Sequence, residues 1–349
     1  MAYTDIDKPD DYFNTVLYTG NNTGQSITGV GFQPDWVWIK DRDGTERHVL
    51  NDVVRGVFKE LRSNETAAES DRSSFGGLSS FDSDGFTIGN DDAYNDASSS
   101  QVSWNWKANG AGVSNTQGSI ASTVSANTTS GFSIVSYTGT GTGSATIGHG
   151  LGFKPKAVLI KSRSLAKNWI YWQDTNGDGS GETRLALNLN NANFANYPVT
   201  FNNDTITLPS LSDDAWSTSS ATYIAYCFAD VKGFSKFGSY TGNGSADGTF
   251  VYTGFKPAFV MVKASSATGY WVIKDNKRTN SFNVVDGNLY PNINSAEDTG
   301  AVAYMDLLSN GFKLRGTYPA MNANGQTNIY MAFAENPFVT STSVPTTAR

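Results

Sequence analysis

A single cysteine and two histidines stand among the 349 residues. Cys227 cannot close an internal disulfide, so the fold rests on packing alone; in its apolar setting it reads as a buried small hydrophobe. Metal clusters built from Cys and His are excluded by that inventory. His48 lies in an apolar run and His149 in a glycine-rich turn, and neither has the sequence context of a nucleophile triad or a zinc site. Charge is also scarce: 16% of residues are charged, against about a quarter in ordinary globular proteins. The net charge is −7 with no basic run, which disfavours a nucleic-acid partner held through phosphates. No apolar stretch approaches the roughly 18 residues of a membrane-spanning helix, so no membrane insertion is expected. Met1 to Asp11 is short and acidic rather than basic and then apolar, and so does not read as a secretion signal.

What takes the place of charge is Gly, Ser, Thr and Asn, together with 13% aromatics. A polar, uncharged surface of this kind resembles extracellular or virion β-proteins, and the aromatics supply enough bulk for several cores.

The chain repeats itself. Tyr-Thr-Gly occurs at Tyr18, Tyr137 and Tyr240, and each is followed by Gly-Phe-x-Pro and then by Pro-x-x-Val-x-x-Lys, at Pro34/Val37/Lys40, Pro155/Val158/Lys161 and Pro257/Val260/Lys263. The tyrosines stand roughly 100–120 residues apart, too far for a solenoid unit and suited to a small globular module. Each copy opens with a strand-like run ending in the tyrosine and passes a Gly-rich turn. It then enters a near-continuous apolar stretch, the mark of a strand buried on both faces. The lysine is expected to mark that strand's exit to solvent. An apolar strand ending in Asp follows (His48 to Asp52, Trp169 to Asp174, Tyr270 to Asp275), then a turn and strand (Ser83 to Ile88, Asn203 to Leu208, Ser309 to Leu314), and an alternating closing strand (Val102 to Trp106, Ile224 to Phe228, Ile329 to Phe333). Short strands separated by turn signals indicate antiparallel β-sandwiches. The expected architecture is all-β, with three tandem sandwich-like modules at 1–109, 110–230 and 231–349. The stretch from Gly110 to Gly131 reads as a linker or an extra polar strand, and the C-terminal tail as loose. One departure looks helical: Val54, Val57, Phe58 and Leu61 fall on one helix face, which predicts a short helix near 52–62, weakened by Gly56, with an irregular segment over a sandwich edge as the equal alternative.

Candidate sites are few. Asp174, Asn176, Asp178 and Glu182 carry oxygen ligands in a spacing that echoes a calcium loop, although Leu185 stands where the bidentate Glu would be. The competing reading is a polar hairpin tip. No other cofactor is indicated. Trp169, Trp172, Tyr270 and Trp271 are candidates for sugar stacking if some face outward, against a reading in which they fill cores. The acids recurring once per copy, Asp52, Asp174 and Asp275, read as turn or cap residues rather than a catalytic pair, which would be unique to one copy.

The first copy, with Phe13-Asn14-Thr15-Val16-Leu17-Tyr18-Thr19-Gly20, Gly31-Phe32-Gln33-Pro34-Asp35-Trp36-Val37-Trp38-Ile39-Lys40, Asp52-Val53-Val54-Arg55-Gly56 and Phe81-Asp82-Ser83-Asp84-Gly85-Phe86-Thr87-Ile88-Gly89, resembles a repeat family of unassigned function. That family is found in structural proteins of tailed bacteriophages, notably marine ones, often beside tail-fibre genes. The second and third copies share the Tyr-Thr-Gly and Gly-Phe-x-Pro core. The resemblance implies a non-enzymatic virion component, a tail fibre or other appendage contacting the host surface. Its expected partners are other virion proteins, copies of itself (a trimer for a fibre) and a host surface glycan. A capsid decoration or head-fibre protein is the alternative, and a polysaccharide-degrading tailspike the alternative of another class. The short repeats of a long β-helix, which a tailspike would show, are not seen.

Overall fold

The computed structural model describes residues 3–194, 196–211, 213, 215–279, 283–300 and 302–346. Each copy builds the same four antiparallel strands, the whole sheet in the third copy and the core of six- and seven-stranded sheets in the first and second. In the first copy they are β1 (Phe13–Thr19), β2 (Trp36–Asp41), β3 (Val49–Asp52) and β4 (Ser100–Trp106), ordered β1-β4-β2-β3. In the second they are β5 (Phe132–Thr138), β6 (Ala157–Ser162), β7 (Ile170–Gln173) and β8 (Thr222–Phe228), ordered β5-β8-β6-β7. In the third they are β9 (Ser235–Thr241), β10 (Phe255–Ala264), β11 (Trp271–Asp275) and β12 (Thr327–Pro337), ordered β9-β12-β10-β11. A smaller antiparallel sheet, containing Gly85–Ile88, Thr205–Thr207 or Gly311–Leu314, covers the outer face of each.

Alternation along the strands makes two kinds of core. Val37 and Ile39 of β2 face the first copy's own sandwich, as do Val158 and Ile160 of β6 and Val260 and Val262 of β10. Their neighbours Trp36, Trp38, Leu159, Phe259 and Met261 face the other way, into one cluster shared by all three copies. Aromatic contacts close that cluster into a ring. Trp36 stacks on Tyr226 at 4.4 Å, Phe228 meets Phe333 at 6.2 Å, and Phe333 stacks on Phe13 at 5.2 Å. The three sandwiches are therefore arranged about a pseudo-three-fold axis, with a common hydrophobic centre. This is why the sequence shows continuous apolar runs: both faces of these strands are buried.

The repeated motifs have local causes. Each tyrosine of Tyr-Thr-Gly donates its hydroxyl to a main-chain carbonyl in the turn before the closing strand: Tyr18 to Tyr94 (2.7 Å), Tyr137 to Trp216 (2.8 Å), Tyr240 to Met321 (2.7 Å). The glycine two residues later packs so close to that turn that a β-carbon on Gly20, Gly139 or Gly242 would collide with the carbonyl of Asp96, Thr218 or Ala323. The glycine of Gly-Phe-x-Pro has φ near +80° in all three copies (Gly31 88°, Gly152 78°, Gly254 84°), a conformation that L side chains rarely adopt.

Two expectations need correction. The lysines do not leave for solvent. Lys40, Lys161 and Lys263 are fully buried, and each ammonium donates to the carbonyls one and four residues on: Asp41 and Gly44, Ser162 and Leu165, Ala264 and Ala267. The lysine thus caps the bend that ends its strand. No helix forms at 52–62. Gly56 and Phe58 both have positive φ, 91° and 61°, and Lys59–Arg62 is a strand; the four apolar residues follow a turn rather than a helix face. Of the two readings of 110–131, the polar strand is the one the fold takes: Val113–Asn115 and Ser122–Asn127 join the edge of β5.

Candidate functional site

The residues singled out in the sequence divide sharply. Trp169, Trp172 and Trp271 are buried. Trp172 fills the second copy's sandwich, where its Nε1 donates to Tyr197 O at 3.0 Å. Trp169 and Trp271 enter the shared centre. As sugar platforms these three are ruled out, because both faces of their strands are covered. Tyr270 alone presents its ring, at 39% exposure, with Tyr290 packed 5.4 Å behind it.

The two buried tryptophans of the centre belong instead to the seams between copies. Trp169 Nε1 donates across the first seam to Arg62 O (2.7 Å), and Trp271 Nε1 across the second to Ala186 O (3.0 Å). Their main-chain N–H groups donate to Asn188 and Asn292 at 3.0 Å each. At the equivalent place in the first copy, His48 N–H donates to Asn64 at 3.2 Å. The His48 ring accepts from Trp38 Nε1 at 3.0 Å, and burial holds its pKa well below the ordinary value, with Lys40 adding to the effect. It is a neutral, structural imidazole.

A backbone bond recurs at every seam: Glu69 N–H to Arg163 O (2.8 Å), Asn193 N–H to Ser265 O (2.8 Å) and Glu297 N–H to Arg42 O (2.7 Å). Copy one thus binds copy two, two binds three, and three binds one. On this frame two seams carry the same buried ionic network. In the first, Asp52 pairs with Arg55, Arg55 with Glu69 (3.2 Å) and Glu69 with Arg163 (2.9 Å), while Tyr226 donates to Asp52 at 2.7 Å. At the seam of copies three and one, Asp275 pairs with Arg278 (2.5 Å), Arg278 with Glu297 (2.7 Å) and Glu297 with Arg42 (2.6 Å), while Trp104 donates to Asp275 at 2.9 Å. Burial alone would raise the Asp275 pKa, but the adjacent Arg278 guanidinium and its hydrogen bonds hold the carboxyl below the ordinary value.

The seam of copies two and three has lost this network as a set. Gln173, Asn176, Asn193, Ser265 and Met331 stand where the other seams have Asp, Arg, Glu, Arg and an aromatic donor. Gln173, at the place of Asp52 and Asp275, donates to Gly238 O at 3.0 Å, while Asp174, one residue beyond, bonds within its own copy to Gly179 N–H at 3.0 Å, Gly177 N–H at 2.5 Å and Lys156 Nζ at 3.0 Å, which together lower its pKa. The acids of the expected calcium loop come together within the second copy: ligand oxygens of Asp174, Asp178 and Glu182 lie within 4.8 Å of one another. Asn176 does not join them. Its side chain is exposed, and its N–H donates to Glu182 at 3.0 Å. Three carboxylates from one short loop could hold a hard cation, but the Lys156 ammonium already occupies one side of Asp174.

Sequence reading missed the seams, although signals existed. Asp-x-x-Arg recurs at Asp52/Arg55 and Asp275/Arg278, an Arg stands two residues after Lys40 and Lys161, and Asn64, Asn188 and Asn292 hold equivalent places.

A family model described as a domain of unknown function (DUF7483) matches residues 8–337, so the chain belongs to that family and the match runs across all three copies. No curated protein matches the chain, and no solved structure matches it.

Proposed function

We propose that this member of the DUF7483 family is a non-enzymatic structural component of a bacteriophage virion, a tail fibre or tail appendage that contacts the host surface. One observation carries the reading: a single chain closes three sandwiches around a pseudo-three-fold axis and a common core. Such a body offers three near-equivalent surfaces to a three-fold partner and can sit coaxially on a trimeric shaft. In this reading the chain assembles with other virion proteins and with copies of itself, and Tyr270 is the aromatic offered to a host glycan. The same pseudo-symmetry suits a three-fold position on a capsid lattice, which keeps a head-decoration role as the second reading.

The test is mass spectrometry of density-purified particles, followed by cryo-electron microscopy to locate the chain. Density on the tail supports the appendage reading, and density over the capsid lattice transfers the protein to the decoration role. Absence from purified particles overturns both. Loss of glycan-array binding in Tyr270→Ala would support the glycan contact; unchanged binding would remove it.

A further inference from the structure

The three inner sheets differ at one edge. In the second copy, β5 is paired on its outer side by Ser122–Asn127, with Phe132 opposite Asn127, Ile134 opposite Ser125 and Ser136 opposite Thr123. In the third copy the equivalent side of β9 is capped: Ser235 N–H donates to Val231 O (2.9 Å) and Phe237 N–H to the Asp230 carboxylate (2.7 Å). In the first copy it is open. The even-numbered residues of this run bond to β4, as the bonds of Gly20 N–H to Ser99 O (2.9 Å) and of Lys107 N–H to Tyr12 O (3.0 Å) show. Alternation then points the main-chain groups of Phe13, Thr15, Leu17 and Thr19 away from the sheet. No hydrogen bond from any described residue reaches the main-chain N–H of these four, and only Gln25 Nε2 reaches a carbonyl, that of Thr19 at 3.2 Å.

By the repeat, residues 3–8 would occupy the place that Ser122–Asn127 holds in the second copy. They run elsewhere. Tyr3 donates to Gly254 O at 2.7 Å, and Ile6 enters the shared core. This leading segment straps copy one to copy three instead of pairing with β1. A cavity of about 400 Å³ lies beside Phe13 and Asn14, between Asp7 and Lys8 of the leading segment and Lys277 and Glu335 of copy three. Leu17 is 39% exposed, and no Lys, Glu, Asp or Pro lies within Phe13–Thr19 to guard the edge. Unguarded edges pair with other chains.

We infer that the free edge of β1 is a strand-acceptor site, taking an extended, uncharged segment of another protein in the antiparallel register that Ser122–Asn127 adopts on β5. The internal copy specifies the chemistry of the occupant. Val124 lies opposite Val135, the equivalent of Val16, and Ser125 opposite Ile134, the equivalent of Thr15. The incoming strand therefore carries a small apolar residue facing Val16, flanked by Ser, Thr or Ala, and its affinity comes chiefly from main-chain bonds. The inference does not depend on the virion reading.

The probe is a synthetic peptide of residues 119–127 added to the full chain, with hydrogen–deuterium exchange read over residues 13–19. Saturating peptide is expected to slow exchange in that segment by at least about tenfold, and to do so less in Leu17→Pro, which cannot donate at the edge. Leu17→Lys, which adds a guarding charge without altering the backbone, should weaken the protection as well, and it covers the case in which the proline variant misfolds. Unchanged exchange over 13–19, or equal protection in all three proteins, overturns the proposal. So does a dimer formed without peptide and abolished by Leu17→Lys, because the edge would then serve a second copy of this chain.

Discussion

Glu69 of the first copy clasps Arg163 of the second, with both carboxylate oxygens accepting from the guanidinium at 2.9 Å, while its own N–H donates to Arg163 O at 2.8 Å. Glu297 and Arg42 repeat the relationship where the third copy returns to the first. Both glutamates also neutralise an arginine with almost no solvent access, Arg55 and Arg278. Deleting one member of a buried pair strands the other charge, at about 3–5 kcal/mol. Glu69→Ala and Glu297→Ala should each lower unfolding free energy by about 3 kcal/mol in urea titrations. A loss below about 0.5 kcal/mol in either would show that the seams do not hold the ring.

The shared centre predicts that the copies do not fold apart. A fragment of residues 110–349 would expose Tyr226, Phe228, Phe259 and Phe333, which now pack against Trp36, Trp106 and Phe13. Circular dichroism and dye binding should report an aggregating or loosely packed chain rather than two stable sandwiches. A cooperative, soluble fragment would show that each outer core suffices by itself.

Burial pulls the pKa of Lys161 down to about 7, and those of Lys40 and Lys263 to about 8. An unfolded lysine titrates near 10.4. Below pH 7 the Lys161 amine is protonated in both states and contributes no slope. Between about 7 and 10 the unfolded chain holds a proton that the folded chain has released, so stability climbs with pH. The climb is at most about 1.4 kcal/mol per pH unit for each lysine. Lys161→Met should flatten stability between pH 7 and 9 relative to the parent. An identical pH profile would mean that the carbonyls of Thr66, Ser162 and Leu165 keep the ammonium charged throughout.

The acid loop offers a direct contest between lysine and a metal ion. Lys156→Met removes the cation 3.0 Å from Asp174, and calcium should then raise the melting temperature more than in the parent, an increment that Asp178→Ala abolishes. If millimolar calcium moves neither protein, the loop is a hairpin tip closed by its own N–H bonds.

The threefold repeat, the succession of strands along each copy and the all-β class were legible in the residues alone, whereas the order of those strands in the sheet was not. The legible features depend on local periodicity, on turn residues and on glycines whose φ or close packing excludes other side chains, as at Gly31 and Gly20. The sequence also showed that the Val37, Val158 and Val260 strands are buried on both faces. It could not show what lies on the second face, because Trp36 meets Tyr226 across a separation of nearly two hundred residues, and hydrophobic pattern carries no address. It took the folded chain to bring the second faces against each other in one ring. That ring turned Trp169 and Trp271 from candidate sugar platforms into seam residues, and it put Gln173, not the recurring acid Asp174, where the other seams have Asp52 and Asp275. The buried lysines illustrate the same limit. A charge at the end of an apolar run reads as an exit to water until the fold brings carbonyls around it.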